Sequence, residues 1–420
     1  MDLLKRKTIR IPISGDVDVT DVKDLIDAPE FQRLRRVSQV GTVSMVYPGG
    51  THSRFVHSVG VYAGTCKLTQ RWLDEGWRDK EVLKALEVYS LLHDIGHPPL
   101  SHITEYLFDR THDENGVIVL EDFKDIIVDM GVSYELVKAF FEETNPLYKA
   151  VLDKNLGTDK LDYLRRDSYE TAFGGVPEIS RIQSYIYWHD EQLVLDIKSI
   201  IEAMHLQRAY VMMYKQVYLR KAALIVQRLI QKAVAELLDS ELSEEQIWRM
   251  DDIDLEVALR IAKSRQYIQP IMRRFKTRNL PKLFLSLRPE GKEKLDRVSW
   301  KSINVFGVDE DKLTELVEKT PTRGLAEIER DIAGILRISP INTLVVPSQG
   351  GHRFVPKDMN LIDGGDIISM KEYCKQCYPM HFPSLKEEGK NHLCFWVCAS
   401  GGRKRFARHA EEIRDYLLSL

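Results

Sequence analysis

The sequence predicts a mainly α-helical protein that opens with a short β element and closes with a smaller α+β lobe. Three observations carry this. Over the first two-thirds of the 420-residue chain, apolar residues recur at three- and four-residue intervals, the period of a helix with one buried face. The opening MDLLKRKTIRIPISG has the composition of a short strand. Beyond Pro340, NTLVVPS and HLCFWVCAS read as strands, and RFARHAEEIRDYLLSL reads as a closing helix.

Taken in order, DVKDLIDAPEFQRLRRVSQVG reads as a helix that Pro29 interrupts, because proline removes a ladder donor and crowds the preceding turn. VSMVYPGGTHSR reads as strand and turn. Phe55, Val59, Tyr62, Ala63 and Cys66 define one apolar helical face running to about Leu73. The stretch from Lys80 to His93 is apolar on most sides, as a helix buried among helices would be, and it stops at Gly96-His97-Pro98-Pro99. Helices are also expected over Asp159–Ala172 and, as one long stretch, from about Ser199 to Leu238. The polar, acidic segment Asp239–Asp254 carries Ser243 and Gln246 at capping-box spacing. We divide the chain there, into residues 1–238 and a C-terminal helical then α+β region, 239–420.

Composition excludes several classes. Charged residues at 29% and hydrophobic ones at 44% fit neither a disordered chain nor a membrane protein. Sixty Lys and Arg against sixty-three Asp and Glu leave a net charge of -3, so neither nucleic acid nor an anionic membrane is an expected partner, and any phosphate site must be local. The basic N-terminus leads into no apolar stretch, which points to the cytoplasm. Four of the five cysteines crowd between Cys374 and Cys398, unlike a secreted disulfide framework. Cys374 and Cys377, then Cys394 and Cys398, approach zinc-ribbon spacing, but HLCFWVCAS alternates like a buried strand that would place Cys394 and Cys398 on one core face. The basic stretch RRFKTRNLPK reads as a solvated helix end.

Chemistry concentrates in HDIGHPPLSH, which holds His93, Asp94, His97 and His102 in a chain with twelve histidines. Imidazole nitrogen and carboxylate oxygen suit borderline divalent metals, and His93 and Asp94 can share an ion if their helix ends there. His57, on the neighbouring helix, and Asp159 are the third and fourth candidates. Asp159, Tyr163 and Asp167 recur every four residues and so share one helical stripe. Four ligands from three helices would leave coordination positions open for water and substrate.

RRVSQVGTVSMVYPGGTHSRFVHSVGV, HDIGHPPLSH, THDENG and DKLDYLRRDS, in that order, resemble the HD-domain phosphohydrolase superfamily, and more narrowly its deoxynucleoside triphosphate triphosphohydrolases. The likeness spans roughly Ile11 to Val234, with no SAM domain. It implies an HD-domain helical core. It implies a divalent metal (Mn, Fe, Mg, Ni, Co or Zn) on His57, His93, Asp94 and Asp159. His97, His102 and His112 would stand on the substrate side as catalytic groups, with Glu105 orienting a histidine. Arg54 would clamp phosphates, Gln39 and Val40 would lie against the sugar, and Lys160, Tyr163, Asp167 and Tyr218 would bind triphosphate, ribose and base. Two positions depart from the family pattern: Asp113 stands where Glu is frequent, and Arg220 where His is. The implied reaction is metal-dependent hydrolysis of a dNTP at the α-phosphate to deoxynucleoside and inorganic triphosphate, by a homo-oligomer (dimer, tetramer or hexamer). The alternatives are an HD phosphohydrolase acting on a monophosphate, cyclic nucleotide, dinucleotide or alarmone, and a nucleotide sensor without turnover.

Overall fold

The computed structural model describes residues 6–297, 302–348, 356–401 and 403–420. The first five residues of the expected N-terminal strand lie outside this range. The chain then forms an antiparallel hairpin of β1 (Thr8–Ile11) and β2 (Gly15–Asp18). Pro29 does open a new helix: one short helix ends at Asp27 and Ala28 is extended before Pro29–Arg33 begins.

The helical core is built on the Arg54–Asp74 helix. The Lys80–Leu92 helix, N-capped by the Asp79 side chain on the Val82 N–H, packs along it, and the Thr158–Glu170 helix packs against it as well. Between them lies an apolar cluster that includes Phe31, Phe55, Tyr89, Phe140 and Leu161, all buried. Burying these faces together is what makes three separate segments converge.

Two local expectations fail. Instead of forming a strand, Gly41–Met45 is a 3-10 helix, and the segment's only pairing among the described residues is an isolated bridge, Ser38 with Ser53. Gly41 has φ 50°, which ends any extended run, and the amides of Val43 and Val46 bond locally to the carbonyls of Val40 and Val43. The expected single helix from Ser199 is also broken. Ile200–Met213 passes into a π-helical turn at Tyr214–Tyr218, Arg220 is extended, and a new helix runs Lys221–Ser240. No Pro or Gly signals this break. Tertiary contacts hold it instead: Tyr218 donates to Asp167 and Tyr47 donates to the Gln216 carbonyl.

The rest of the chain builds two four-stranded sheets. β3 (Ile186–His189) and β4 (Gln192–Asp196) are extended by β8 (Asn360–Asp363) and β9 (Asp366–Ser369), in the order β3-β4-β8-β9. The other sheet orders β6-β5-β10-β7, from β5 (Lys282–Pro289), β6 (Asn304–Val308), β7 (Thr343–Ser348) and β10 (Cys394–Ala399). Along β10 the side chains alternate. Cys394, Trp396 and Cys398 enter a core with the Lys221–Ser240 helix, while Phe395 and Val397 face a second core under the helices Leu325–Leu336 and Ala410–Ser419. Cys374 is buried in the first, helical core and Cys377 is exposed, so the two cysteine pairs lie apart and form no zinc ribbon. Burial pushes the Cys394 and Cys398 thiols up to about 12. Ser243 and Gln246 form the expected capping box. Among the described residues no helix is long and apolar enough to cross a membrane.

Trp248 joins the two halves. It is buried, its ring centroid lies 4.8 Å from that of Phe108, and the Arg110 guanidinium carbon lies 5.2 Å from it. Trp248→Ala should lower unfolding free energy by about 3–5 kcal/mol, measured by denaturant titration.

Candidate active site

Three helices deliver four ligand-type side chains to one point. The Lys80–Leu92 helix ends at His93, whose Nδ1 faces the Ser90 carbonyl at 2.9 Å. That contact occupies Nδ1, and the buried Nε2 has no hydrogen-bond partner. His57, one turn into the Arg54–Asp74 helix, has its Nδ1 2.9 Å from Asp162 Oδ2. Its Nε2 lies 3.0 Å from Asp159 Oδ1 and 3.6 Å from Asp94 Oδ2. His93 Nε2 lies 3.5 Å from Asp94 Oδ1 and 3.7 Å from Asp159 Oδ1. Ligands about 2.0–2.2 Å from a cation stand about 3.0–3.5 Å from their coordination neighbours; the ligand atoms of His57, His93 and Asp94 all lie within 4.8 Å of one another and could hold a divalent ion, with Asp159 beside the two imidazoles.

A surrounding layer holds them. Asp162 also takes a two-pronged bond from Arg166, at 2.8 and 2.9 Å. Gly60 leaves the room for it: a Cβ there would lie 2.2 Å from Asp162 Oδ1 and 2.3 Å from Arg166 Nη2. Arg54 donates to Asp94 at 2.6 Å and to Ser101 Oγ at 2.7 Å. Burial opposes charge on Asp94, but Arg54 and the adjoining imidazoles outweigh it and hold the carboxyl well below the usual range. For His57 too burial opposes charge, and the hydrogen bonds to Asp159 and Asp162 overcome it, pushing the imidazole up to about 10.

Beside this point three imidazoles gather. Glu105 bridges two of them, with Oε2 2.6 Å from His102 Nδ1 and Oε1 2.7 Å from His112 Nδ1, and it also accepts the His112 amide at 2.8 Å. The His97 and His112 rings stack at 3.9 Å. Burial disfavours the Glu105 charge, yet its two histidine bonds keep it far below the ordinary carboxylate value. Burial opposes charge on His112, but the Glu105 hydrogen bond and the charges of Asp113 and Glu105 together outweigh it and raise the imidazole, whereas burial and Arg54 drive His97 well down and keep it neutral. Asp113 Oδ1 sits 3.3 Å from His112 Nε2.

A small cavity of ≈ 130 Å³, lined by His93, Asp94 and Asp159 among others, adjoins a cleft of ≈ 520 Å³, the two sharing Gln39, Arg54, His102 and Tyr163. Val40, Asp167, Tyr214 and Tyr218 line the cleft. Asp167 accepts from Tyr218 Oη at 2.5 Å and contacts His52 Nε2 at 2.8 Å. Lys160 departs from expectation, since it lines neither cavity. One position beyond Asp159 it is turned about 100° around the helix, its ammonium bonded to the Lys154 carbonyl and 3.9 Å from the Tyr210 ring centroid. Burial brings it down to about 8. Arg220 lines a separate cavity with Lys221 and Arg288. Asp162, His52 and Ser101 were not singled out in the sequence. Only Asp162 carried a signal, one helical turn after Asp159.

Comparison with known proteins fits this geometry. The HD domain family matches residues 54–166, and the HD associated region matches 178–291. An uncharacterized protein of Methanocaldococcus jannaschii is 28% identical over 360 residues, 83% of this chain and 73% of that one. A deoxynucleoside triphosphate triphosphohydrolase SAMHD1 homolog of Dictyostelium discoideum is 31% identical over 257 residues, 55% of this chain and 49% of that one, so the chain spans about half of it. In three dimensions a phosphohydrolase of Bacteroides thetaiotaomicron shares the fold with a TM-score of 0.72 at 23% identity, covering 94% of this chain and 100% of that one.

Metal binding should respond in two ways. Asp162→Asn should weaken cation affinity about 10- to 100-fold by releasing the His57 ring, as a metal titration would show. Because the metal-free His57 stays protonated up to about 10, a cation must displace its Nε2 proton, so affinity should rise with pH by about tenfold per unit from this group until that value is reached. Titration calorimetry in buffers of different ionisation enthalpy measures the released proton.

Proposed function

We propose that this chain, an HD-domain phosphohydrolase, cleaves deoxynucleoside triphosphates at the α-phosphate to deoxynucleoside and inorganic triphosphate. The observation that carries the reading is the meeting of a small cavity lined by His93, Asp94 and Asp159 with an aromatic-lined cleft at four shared residues, Gln39, Arg54, His102 and Tyr163. Residues 1–238 hold the chemistry.

His57, His93, Asp94 and Asp159 would hold the divalent cation, whose bound form supplies an acidified water and Lewis-acid polarisation of a phosphoryl oxygen. The His and Asp donors accept Mn, Fe, Mg, Ni, Co or Zn, and availability decides among them. Arg54, its charge fixed by Asp94 and Ser101, lies against the phosphates and offsets charge as it grows. Water adds to the α-phosphorus, the bond to the 5′-oxygen breaks, and that oxygen takes a proton from His102. His102 lines both cavities and so stands where the scissile bond crosses between them. Glu105 holds His102 and His112 as one pair, and His97 stays neutral beneath them. In the cleft, Tyr163, Tyr218 and Val40 pack the deoxyribose, and Asp167, aimed by Tyr218, accepts a sugar hydroxyl. The close tyrosines select against a 2′-hydroxyl by contact. The same reading expects a cytoplasmic homo-oligomer. Ile253, Val257 and Ile261, exposed one turn apart, are an apolar face that supports it, and light scattering measures the mass.

The test is to incubate the purified protein with each dNTP and NTP and several metals, and to identify the phosphate product, with His93→Ala guarding against contaminating phosphatases. Inorganic triphosphate is expected. Orthophosphate or pyrophosphate would move the enzyme to another nucleotide class, and binding without turnover would make it a sensor. His102→Ala should lower kcat by about 10²- to 10⁴-fold with metal retained.

A further inference from the structure

Beyond residue 238, Asp252 bonds directly to two loops of the candidate site. The helix Asp252–Ile261 begins behind two consecutive carboxylates. Asp251 is its N-cap, accepting the amides of Ile253 and Asp254 at 2.9 Å each, and it pairs with Arg36. Asp252 is turned elsewhere. Its Oδ2 accepts the Ser38 amide at 3.0 Å and its Oδ1 accepts the Leu100 amide at 2.6 Å.

Those amides belong to the two loops that line the cleft. Ser38 precedes Gln39 and Val40, and Leu100 precedes Ser101 and His102. The loops are tied a second time, since Ser101 Oγ donates to the Ser38 carbonyl at 2.7 Å while accepting from Arg54. Leu100 and Ser101 have φ of 59° and 55°, left-handed values that non-glycine residues rarely adopt and that persist only where surrounding bonds over-determine them. Arg33 reinforces the junction by donating to the carbonyls of Ile95, His97 and Met250.

Both donors to Asp252 are N–H groups, so both of its oxygens must accept. Asparagine would set its own NH₂ against one of them. The requirement is therefore for a carboxylate at this position.

We infer that Asp252 is a positioning residue for the hydrolysis: from outside the HD domain it latches the Gln39 loop to the strained Leu100–Ser101 turn, and so fixes where Arg54 and His102 stand. The inference rests on the phosphohydrolase reading of the site. Displacing catalytic groups by about 1 Å can cost on the order of 10²-fold in rate. Asp252→Asn should therefore lower kcat by roughly 10- to 100-fold while metal content and the unfolding midpoint stay near wild type.

The paired control is Asp251→Asn, which keeps an N-cap acceptor and bonds neither the Ser38 nor the Leu100 amide, and should retain wild-type kcat. In hydrogen exchange, Asp252→Asn should lose amide protection across residues 36–42 and 100–104 and keep it elsewhere. Unchanged kcat in Asp252→Asn, or a loss that merely tracks metal loss or global unfolding, overturns the inference. Should the wild-type protein turn over no nucleotide, the proposed function fails by itself. The exchange experiment still decides the latch, because unchanged protection at Ser38 and Leu100 sinks it.

Discussion

Charge taken out of water must be answered by charge or by hydrogen bonds, and the centre of this protein is arranged around that constraint. Arg54, His57, Asp94 and Arg166 are all buried. Each has a partner: Arg54 with Asp94, and His57 and Arg166 with the same Asp162. Removing one member of such a buried pair costs about 3–5 kcal/mol, because the other is left uncompensated. The three helices are thus held in register by polar pairing as well as by apolar packing. Within this cluster of ligand-type side chains, His93 Nε2 has no close hydrogen bond and only long contacts, 3.5 Å to Asp94 and 3.7 Å to Asp159, which leaves it open to a ligand from outside the chain.

Specific orientation comes from this layer. Asp162 and the Ser90 carbonyl each occupy the Nδ1 side of an imidazole, so His57 and His93 both present Nε2 to the same point. Glu105 likewise takes the Nδ1 side of His102 and His112, while burial and Arg54 hold the neighbouring His97 neutral. Neighbouring groups thus set different environments for identical side chains within one cluster.

The division of the chain also looks different from inside. β8 and β9 complete a sheet begun by β3 and β4, and the Lys221–Ser240 helix forms the floor of a core whose other wall is β10 and its neighbours. Elements distant in sequence share cores, so a loop such as Ser38–Gln39 can be held from residue 252. Strain at Leu100 and Ser101 is tolerated because several segments bond to that turn at once.

The helices Arg54–Asp74, Lys80–Leu92 and Thr158–Glu170, the Ser243 capping box and the alternation along β10 were all legible by themselves, because period, capping and pleat are local properties of consecutive residues. So were the adjacency of His93 and Asp94 at a helix end and the stripe that Asp159 shares with Tyr163 and Asp167. Tertiary contact decided the π-turn at Tyr214–Tyr218, the turning of Lys160 away from the cleft, and the parts played by His52 and Asp252. In each of these, what settles the conformation is a hydrogen bond or packing contact to a residue outside the local sequence pattern. No such pattern encodes a partner whose distance is closed only when the whole core folds.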